Sequence, residues 1–441
     1  MTLKPLGLVV VAVSLATPLV WLPEIAQGRD IVALFSQYLG MSALIAMAIS
    51  QLIATRIAPV EWVFGGMDRA YILHKWLGIG ALAAILLHDT IDAEMIGLGR
   101  GTALVEVAET AGEVALYGLL ILVIVTVATF IPYHLWRWTH RFIGVFFVFG
   151  AFHYLFILKP FSVRDPLGLY VATFCVLGIA AFTFRLLPAR MRPSRRYEIA
   201  HLERTGKALA ITMKPTGRAL RYRPGQFVFV SFEGGEPHPF TISKAPSDDG
   251  SIRVTVASLG DFTSQLGKLL PVGTSVRVEG PYGRFERRQL GNPGLWIAGG
   301  IGITPFVAWA QAMNRQDAAA TLVYCIRNEN GAAHLQELAT LADELPNFTL
   351  MLHTSEAQDR ATAGKILEAT GLDASDLSIA FCGPEPMRMA LSKGFAASGV
   401  SVRRIGYEEF RIRSGIGLKA FAAYLMNRMT PSRHAPGERA G

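Results

Sequence analysis

The sequence predicts a multi-domain membrane protein: a six-helix transmembrane bundle, then an antiparallel β-barrel, then a doubly wound α/β domain. Three observations carry this. Hydrophobic residues make up 51% of the 441 positions and mean hydropathy is +0.35, an excess confined to roughly the first 190 residues. After the basic stretch Pro188–Arg196 come short runs of alternating polarity, punctuated by Pro224-Gly225 and Asp249-Gly250. From Gly294 the pattern changes again, to strands alternating with helices. The divisions fall at 1–190, 191–290 and 291–410, with a basic tail at 411–441.

Six spans fit the first part, roughly 6–22, 31–55, 70–88, 114–131, 139–158 and 167–187, each near the ~20 apolar residues that cross a bilayer. The first lacks the small-residue cleavage site of a secretory signal, so it counts as a span. Arg56, Arg69, Lys75, Arg137 and Arg141 flank one side, joined by Arg185, Arg190, Arg192, Arg195 and Arg196 after the last span. The other side carries few cations: Arg29, Arg100, Lys159 and Arg164. The positive-inside rule then sets both termini and the soluble domains in the cytoplasm, with the bundle in the cell inner membrane and its partner the membrane lipid. Asp89, Asp92, Glu94, Glu106, Glu109 and Glu113 make the outer loop Asp89–Glu113 acidic.

Within the spans lie two histidine pairs, His74 with His88 and His140 with His153. An ionisable side chain at membrane depth is expensive, which marks these four as functional. The 14-residue step from His74 to His88 is about 21 Å of helix and returns within roughly 40° of the same face. The 13-residue step from His140 to His153 leaves the rings about 140° apart on a regular helix, so an extra residue, a π-bulge, is expected between them. Neutral imidazole suits iron, and two haems stacked across the membrane, each held by one histidine from each pair, account for the pattern. The positive-inside orientation places His74 and His140 towards the inner face, and His88 and His153 towards the outer. His134, in the stretch Pro132–Trp138, reads as an interfacial loop residue.

The soluble part carries two motifs. In His238-Pro239-Phe240-Thr241-Ile242-Ser243 an aromatic, hydroxyls and a histidine share a short strand, a combination that stacks an isoalloxazine ring and bonds its edge. Gly260-Asp261-Phe262-Thr263 opens a predicted helix whose N–H groups suit a pyrophosphate. Leu295–Ala298 runs into Gly299, Gly300 and Gly302, with Thr304 expected as N-cap and Pro305 as the first helical residue. It is not a strict G-x-G-x-x-G. Cys382-Gly383-Pro384 ends a later strand at the carboxyl edge of the sheet, where a nicotinamide would lie.

In that order, the histidine spacings, H-P-F-T-I-S, G-D-F-T, G-G-I-G-I-T-P-F and C-G-P resemble the NADPH oxidase/ferric reductase superfamily over about residues 30–410. The resemblance implies a ferredoxin–NADP reductase-like soluble half with FAD at His238 to Thr241 and Gly260 to Thr263. It implies a nicotinamide dinucleotide on Gly299, Gly300, Gly302 and Thr304, with Cys382 beside the hydride. It implies a phosphate partner in Arg327, which favours NADPH over NADH, and a flavin-shielding aromatic in Phe410 of Tyr407-Glu-Glu-Phe410. Haem b, FAD and NADPH are thus the expected cofactors.

Composition narrows the rest. A formal charge of +8 fits cytoplasmic anchors rather than nucleic-acid binding. Three cysteines without a C-x-x-C disfavour a disulfide framework, a structural zinc and a four-cysteine cluster. The terminal acceptor stays open between oxygen, a ferric or cupric chelate, and a periplasmic redox partner or quinone. Leu418, Phe421, Leu425 and Met429 in the tail share one helical face beside Lys419 and Arg428, which fits a membrane-surface helix and equally a disordered or docked tail.

Overall fold

The computed structural model describes residues 5–91, 98, 101–127, 133–187, 193–232, 235, 237–257, 266 and 270–408. Gly260 to Thr263, Phe410 and the tail lie outside these residues. The helices are α1 (Pro5–Ala16), α2 (Leu22–Ile25), α3 (Ile31–Ala54), α4 (Ala58–Phe64), α5 (Met67–Thr90), α6 (Ala103–Val127), α7 (Tyr133–His140), α8 (Ile143–Phe156) and α9 (Pro166–Leu186). Among the described residues six segments are long and apolar enough to span a membrane: Pro5–Ile25, Ile31–Ala54, Arg69–Thr90, Ala103–Thr126, Leu135–Phe156 and Pro166–Leu186. Local chemistry fixes their ends. Asp30 caps α3 by accepting from the N–H groups of Val32 and Ala33. Gly65, at φ 89°, closes α4 in the left-handed region that glycine adopts without strain.

Three expectations need correction. The fourth span starts at Ala103 rather than 114, so Glu106, Glu109 and Glu113 sit on α6 and not in a loop. Glutamate is a good helix former, and Glu106 in the first turn complements the helix dipole. No π-bulge joins His140 to His153. Instead α7 ends, and Arg141 and Phe142 form a tight turn with bonds to the carbonyls of Trp138 (3.3 Å) and Thr139 (2.9 Å), so the chain re-aims by tightening. His134 falls in α7 rather than a loop.

The described residues divide into two compact units: one within 11–55 and 73–183, the other within 5–10, 56–72 and 184–408. In the second unit β1 (Arg195–Thr205), β2 (Ala208–Pro215), β3 (Phe227–Phe232), β4 (His238–Thr241), β5 (Ile252–Ala257) and β6 (Ser275–Tyr282) form an antiparallel sheet in the order β4-β3-β6-β1-β2-β5. A bridge between Ile242 and Val254 curls its edges together, and Tyr197, Ile199, Ile211, Val230 and Val254 fill the interior. Next, β7 (Leu295–Gly299), β8 (Ala320–Ile326), β9 (Phe348–Thr354), β10 (Ile379–Cys382) and β11 (Ile405–Tyr407) make a parallel sheet, order β11-β10-β7-β8-β9. Alternation along β7 supplies two cores: Trp296 and Ala298 pack with Phe306 and Trp309, Leu295 and Ile297 with Leu391 and Phe395. Both faces are therefore covered, as in a doubly wound domain.

Candidate functional site

In the bundle, α5 carries both His74 and His88, while His140 ends α7 and His153 lies near the end of α8. The rings of His74 and His140 stand 6.0 Å apart, centre to centre. A metal–imidazole bond of about 2.0 Å on each side, plus about 1.1 Å from nitrogen to ring centre, would put two rings sharing one metal ion about 6 Å apart. The pair therefore fits one iron between its rings. His88 and His153 line a single cavity of about 420 Å³ whose other walls include Met41, Leu44 and Phe147. A largely apolar chamber with charged groups in its lining and an imidazole from each of two helices suits a flat macrocycle that carries carboxylates. Two glycines make room: a Cβ on Gly40 would lie 3.3 Å from the His88 ring, and one on Gly112 only 2.6 Å from His153 Nδ1. Asp89, Glu109, Glu113 and Lys159 also line this cavity.

The Nδ1 atoms of all four rings are engaged. His74 Nδ1 lies 3.1 Å from the Ser50 carbonyl and 2.7 Å from its hydroxyl. His88 Nδ1 is 2.8 Å from both the carbonyl and the hydroxyl of Ser36. His153 Nδ1 is 2.9 Å from the Ala108 carbonyl, and His140 Nδ1 is 3.2 Å from Thr126 Oγ1. A carbonyl only accepts, so the proton sits on Nδ1 of His74, His88 and His153, and Nε2 carries the lone pair. The Thr126 hydroxyl donates to the Leu122 carbonyl (2.7 Å), so it accepts from His140 as well. This tautomer is the metal-ligating one. Sequence reasoning missed Ser36, Ser50 and Thr126, although the serines repeat the 14-residue step of the first histidine pair.

In the second unit, His238, Pro239, Phe240 and Thr241 form β4, paired with β3 from Val230↔His238 to Phe227↔Thr241. Proline lacks an N–H and is tolerated here because β4 ends the strand order. The rings of His238 and Phe240 lie 6.4 Å apart. Ser243 is fully buried, its hydroxyl 2.7 Å from Thr255 Oγ1 and donating to the Arg253 carbonyl (3.2 Å). Thr255 in turn meets His334 Nε2 at 2.8 Å, and His334 Nδ1 donates to Glu337 (2.8 Å), which also pairs with Arg253 (3.0 Å). Burial would raise the Glu337 carboxyl, but bonds from His334 and Arg253 outweigh it and hold the group at about 2. This network, which no sequence motif announced, joins the H-P-F-T-I-S strand to the helix Leu335–Glu344 of the parallel-sheet region.

The glycine motif and the C-G-P turn come together. A Cβ on Gly302 would lie 2.2 Å from the Cys382 carbonyl, and one on Gly299 would lie 2.7 Å from the Pro384 ring. Gly383 in turn packs on Gly299. Gly300, at φ 55°, faces open space, as a turn that lets a ligand approach the backbone requires. Thr304 is not the N-cap: Gly300–Ile303 forms a 3-10 turn running straight into the helix Thr304–Gln311, so Ile303 takes the cap position. Thr304 is already helical, and its hydroxyl donates back to the Ile301 carbonyl (3.2 Å). Pro305 is therefore the second helical residue. Cys382 is buried; burial first, then the charge of Glu408, push its thiol well above the ordinary value. Arg327, at the end of β8, pairs with Glu356 at 2.9 Å on the surface. Tyr407 receives two guanidinium groups, Arg388 4.2 Å and Arg69 4.5 Å from its ring centre.

Comparison with known proteins follows this layout. Residues 39–151 match the family described as ferric reductase like transmembrane component, 195–286 an FAD-binding domain, and 296–393 an oxidoreductase NAD-binding domain. The toluate 1,2-dioxygenase electron transfer component of Pseudomonas putida is 27% identical over 46% of this chain and 63% of its own length. The ferredoxin reductase component of 3-ketosteroid-9-alpha-monooxygenase from Mycobacterium tuberculosis is 27% identical over 44% of this chain and 56% of its own. The chain thus spans less than two thirds of either relative. Among solved structures, the FAD/NAD-binding domain of nitric oxide dioxygenase from Vibrio cholerae aligns with TM-score 0.44 at 22% identity, covering 49% of this chain and 98% of that one. Flavohemoglobin from Malassezia yamatoensis aligns with TM-score 0.46 at 15% identity, covering 88% of this chain and 98% of that one. With a ferric-reductase-like membrane component followed by FAD-binding and NAD-binding domains in this order, the chain carries the architecture of the NADPH oxidase/ferric reductase superfamily.

Proposed function

We propose that the chain is an inner-membrane oxidoreductase that takes electrons from cytosolic NADPH and delivers them to an acceptor outside, oxygen or ferric ion, with FAD and two b-type haems as resident cofactors. The observation that carries the reading is the pairing of His74 with His140 at 6.0 Å, repeated where His88 and His153 share one cavity. When bound, these cofactors would supply hydride acceptance and one-electron passage, which side chains lack. The chain's own residues hold and orient. His74 and His140 would ligate the inner iron, His88 and His153 the outer. His238 to Thr241 and Gly260 to Thr263 would seat the flavin, with Phe410 shielding it. Gly299, Gly300, Gly302, Thr304 and Pro305 would receive the dinucleotide's phosphates, and Cys382, Gly383 and Pro384 would border its nicotinamide. Cys382, held as a neutral thiol, would pack there without competing as a nucleophile. Arg327 would favour NADPH once a 2′-phosphate displaces Glu356 from it.

The test is an optical spectrum of the detergent-purified protein before and after anaerobic NADPH, followed by oxygen or ferric chelate. Bis-histidine haem bands that NADPH reduces are expected. His153→Leu should remove the outer component while flavin reduction by NADPH persists. A haem-free protein from cells with ample haem would overturn the reading. A second reading, delivery to a periplasmic partner protein or quinone, is favoured by relatives that are themselves electron-transfer and reductase components. NADPH oxidation sustained by oxygen or ferric chelate alone would argue against it.

A further inference from the structure

α3 carries no histidine, yet it meets both haem-ligand positions of α5. Ser50 faces His74 and Ser36 faces His88, so two 14-residue steps run antiparallel in matched register. Both serines are buried, at 8% and 7% exposure, in a helix whose other polar residues are Gln37, Tyr38, Ser42 and Gln51. A hydroxyl inside a helix ordinarily satisfies itself on the carbonyl four residues back. Thr17, Thr110, Thr126 and Thr173 do this here. Ser36 and Ser50 instead reach across to a neighbouring helix. The Ser36 hydroxyl donates to the His88 carbonyl (3.0 Å), which leaves its oxygen facing His88 Nδ1 as acceptor. Thr126 combines both habits: its proton goes back to Leu122 and its lone pair goes to His140. His153, on the Ala108 carbonyl alone among the bonds described, is the internal contrast.

We infer that Ser50 and Thr126 together, and Ser36 separately, are positioning residues whose hydroxyls set the reduction potentials of the two irons. The inference rests on the bis-histidine reading above. An acceptor on Nδ1–H fixes the ring's rotation and makes Nε2 a stronger donor, which stabilises ferric over ferrous iron and lowers the potential. Removing the hydroxyl raises it, most at His140, and only in part at His74 and His88, where the Ser50 (3.1 Å) and Ser36 (2.8 Å) carbonyls stay on Nδ1. The structure pairs the effects: Ser50 and Thr126 address one haem, Ser36 the other.

The experiment is an anaerobic spectroelectrochemical titration of the full-length protein in detergent, with Ser50→Ala, Thr126→Val and Ser36→Ala. Two one-electron components are expected in the parent. Ser50→Ala and Thr126→Val should raise the same component and Ser36→Ala the other. Thr126→Val should shift its component about tenfold in the ferric/ferrous equilibrium, or about 59 mV for one electron, and the two serine variants, which keep a carbonyl on Nδ1, should shift theirs by less. Haem retained with both potentials unmoved overturns the inference, as does Ser50→Ala moving a different component from Thr126→Val. A parent without haem overturns the functional reading instead, so the two failures are distinct. Should Ser50→Ala lose a haem, Ser50→Thr decides. Recovery of that haem with its parental potential supports the role of the hydroxyl, and continued loss marks a packing defect and overturns it.

Discussion

The bundle and the parallel-sheet region hold their candidate groups by opposite means. In the bundle, four histidines project from regular helices, and hydroxyls or carbonyls of neighbouring helices fix each ring. In the parallel-sheet region, the glycine turn and the Cys382-Gly383-Pro384 turn meet backbone to backbone, with no room for a single Cβ at Gly302. One site is built from side chains on a rigid frame, the other from the frame itself. Side-chain sites degrade by steps, because each support can be removed separately. Backbone sites fail at once, because nothing can be trimmed.

That contrast can be broken most directly at Gly302. Gly302→Ala puts a methyl 2.2 Å from the Cys382 carbonyl, a clash with backbone that no rotamer relieves. Loss of most NAD(P)H oxidation is expected, with about 1–3 kcal/mol of stability lost to overpacking, read from thermal unfolding of the full-length protein. Full activity in this variant would end the distinction. A smaller effect belongs to the Ser243–Thr255–His334–Glu337 network, which ties the two soluble folds by side chains. Glu337 is held at about 2, below its usual 4.5. Its ionised form therefore stabilises the folded state fully above about pH 4.5, and that contribution fades as pH falls towards 2. Glu337→Gln should cost about 1.5–3 kcal/mol at neutral pH, the scale of hydrogen bonds to a charged group. Its deficit should shrink across that same acid window in unfolding measured against pH; a pH-independent deficit would place the effect in packing. The smallest effect is at Arg327. Its exposed pair with Glu356 is worth about 0.2–1 kcal/mol, so Glu356→Gln should shift the ratio of KM values for NADH and NADPH a few-fold towards NADPH. An unchanged ratio would remove Arg327 from the phosphate site.

What could be read beforehand follows the same division. The helical period and a bilayer's length requirement made the histidine-bearing spans legible, and alternation plus turn residues made the strands legible. The supports of the histidines were not, because Ser36 and Ser50 in isolation look like ordinary small helix residues; only their spacing, set against His74 and His88, distinguishes them. Glu106, Glu109 and Glu113 read as a loop because charge near a span suggests its end, whereas glutamate is by itself a good helix former and continues the helix. Thr304 was misplaced by one position because the pattern Thr-Pro suits an N-cap equally well when a 3-10 turn does not precede it. The network at Glu337 joins residues up to 94 positions apart, from Ser243 to Glu337, and no local pattern encodes such a meeting.

The matched steps of α3 and α5 have a consequence for how this bundle can change over evolutionary time. Deleting one residue between Ser36 and Ser50 would turn one serine by about 100° and slide it about 1.5 Å relative to the other. One ring would keep its support while the other lost it, and no compensating deletion in a loop could restore both. The interval on α3 is thus a ruler whose length is tied to that on α5, and insertions or deletions in either helix would be tolerated only outside the stretch between its two marks.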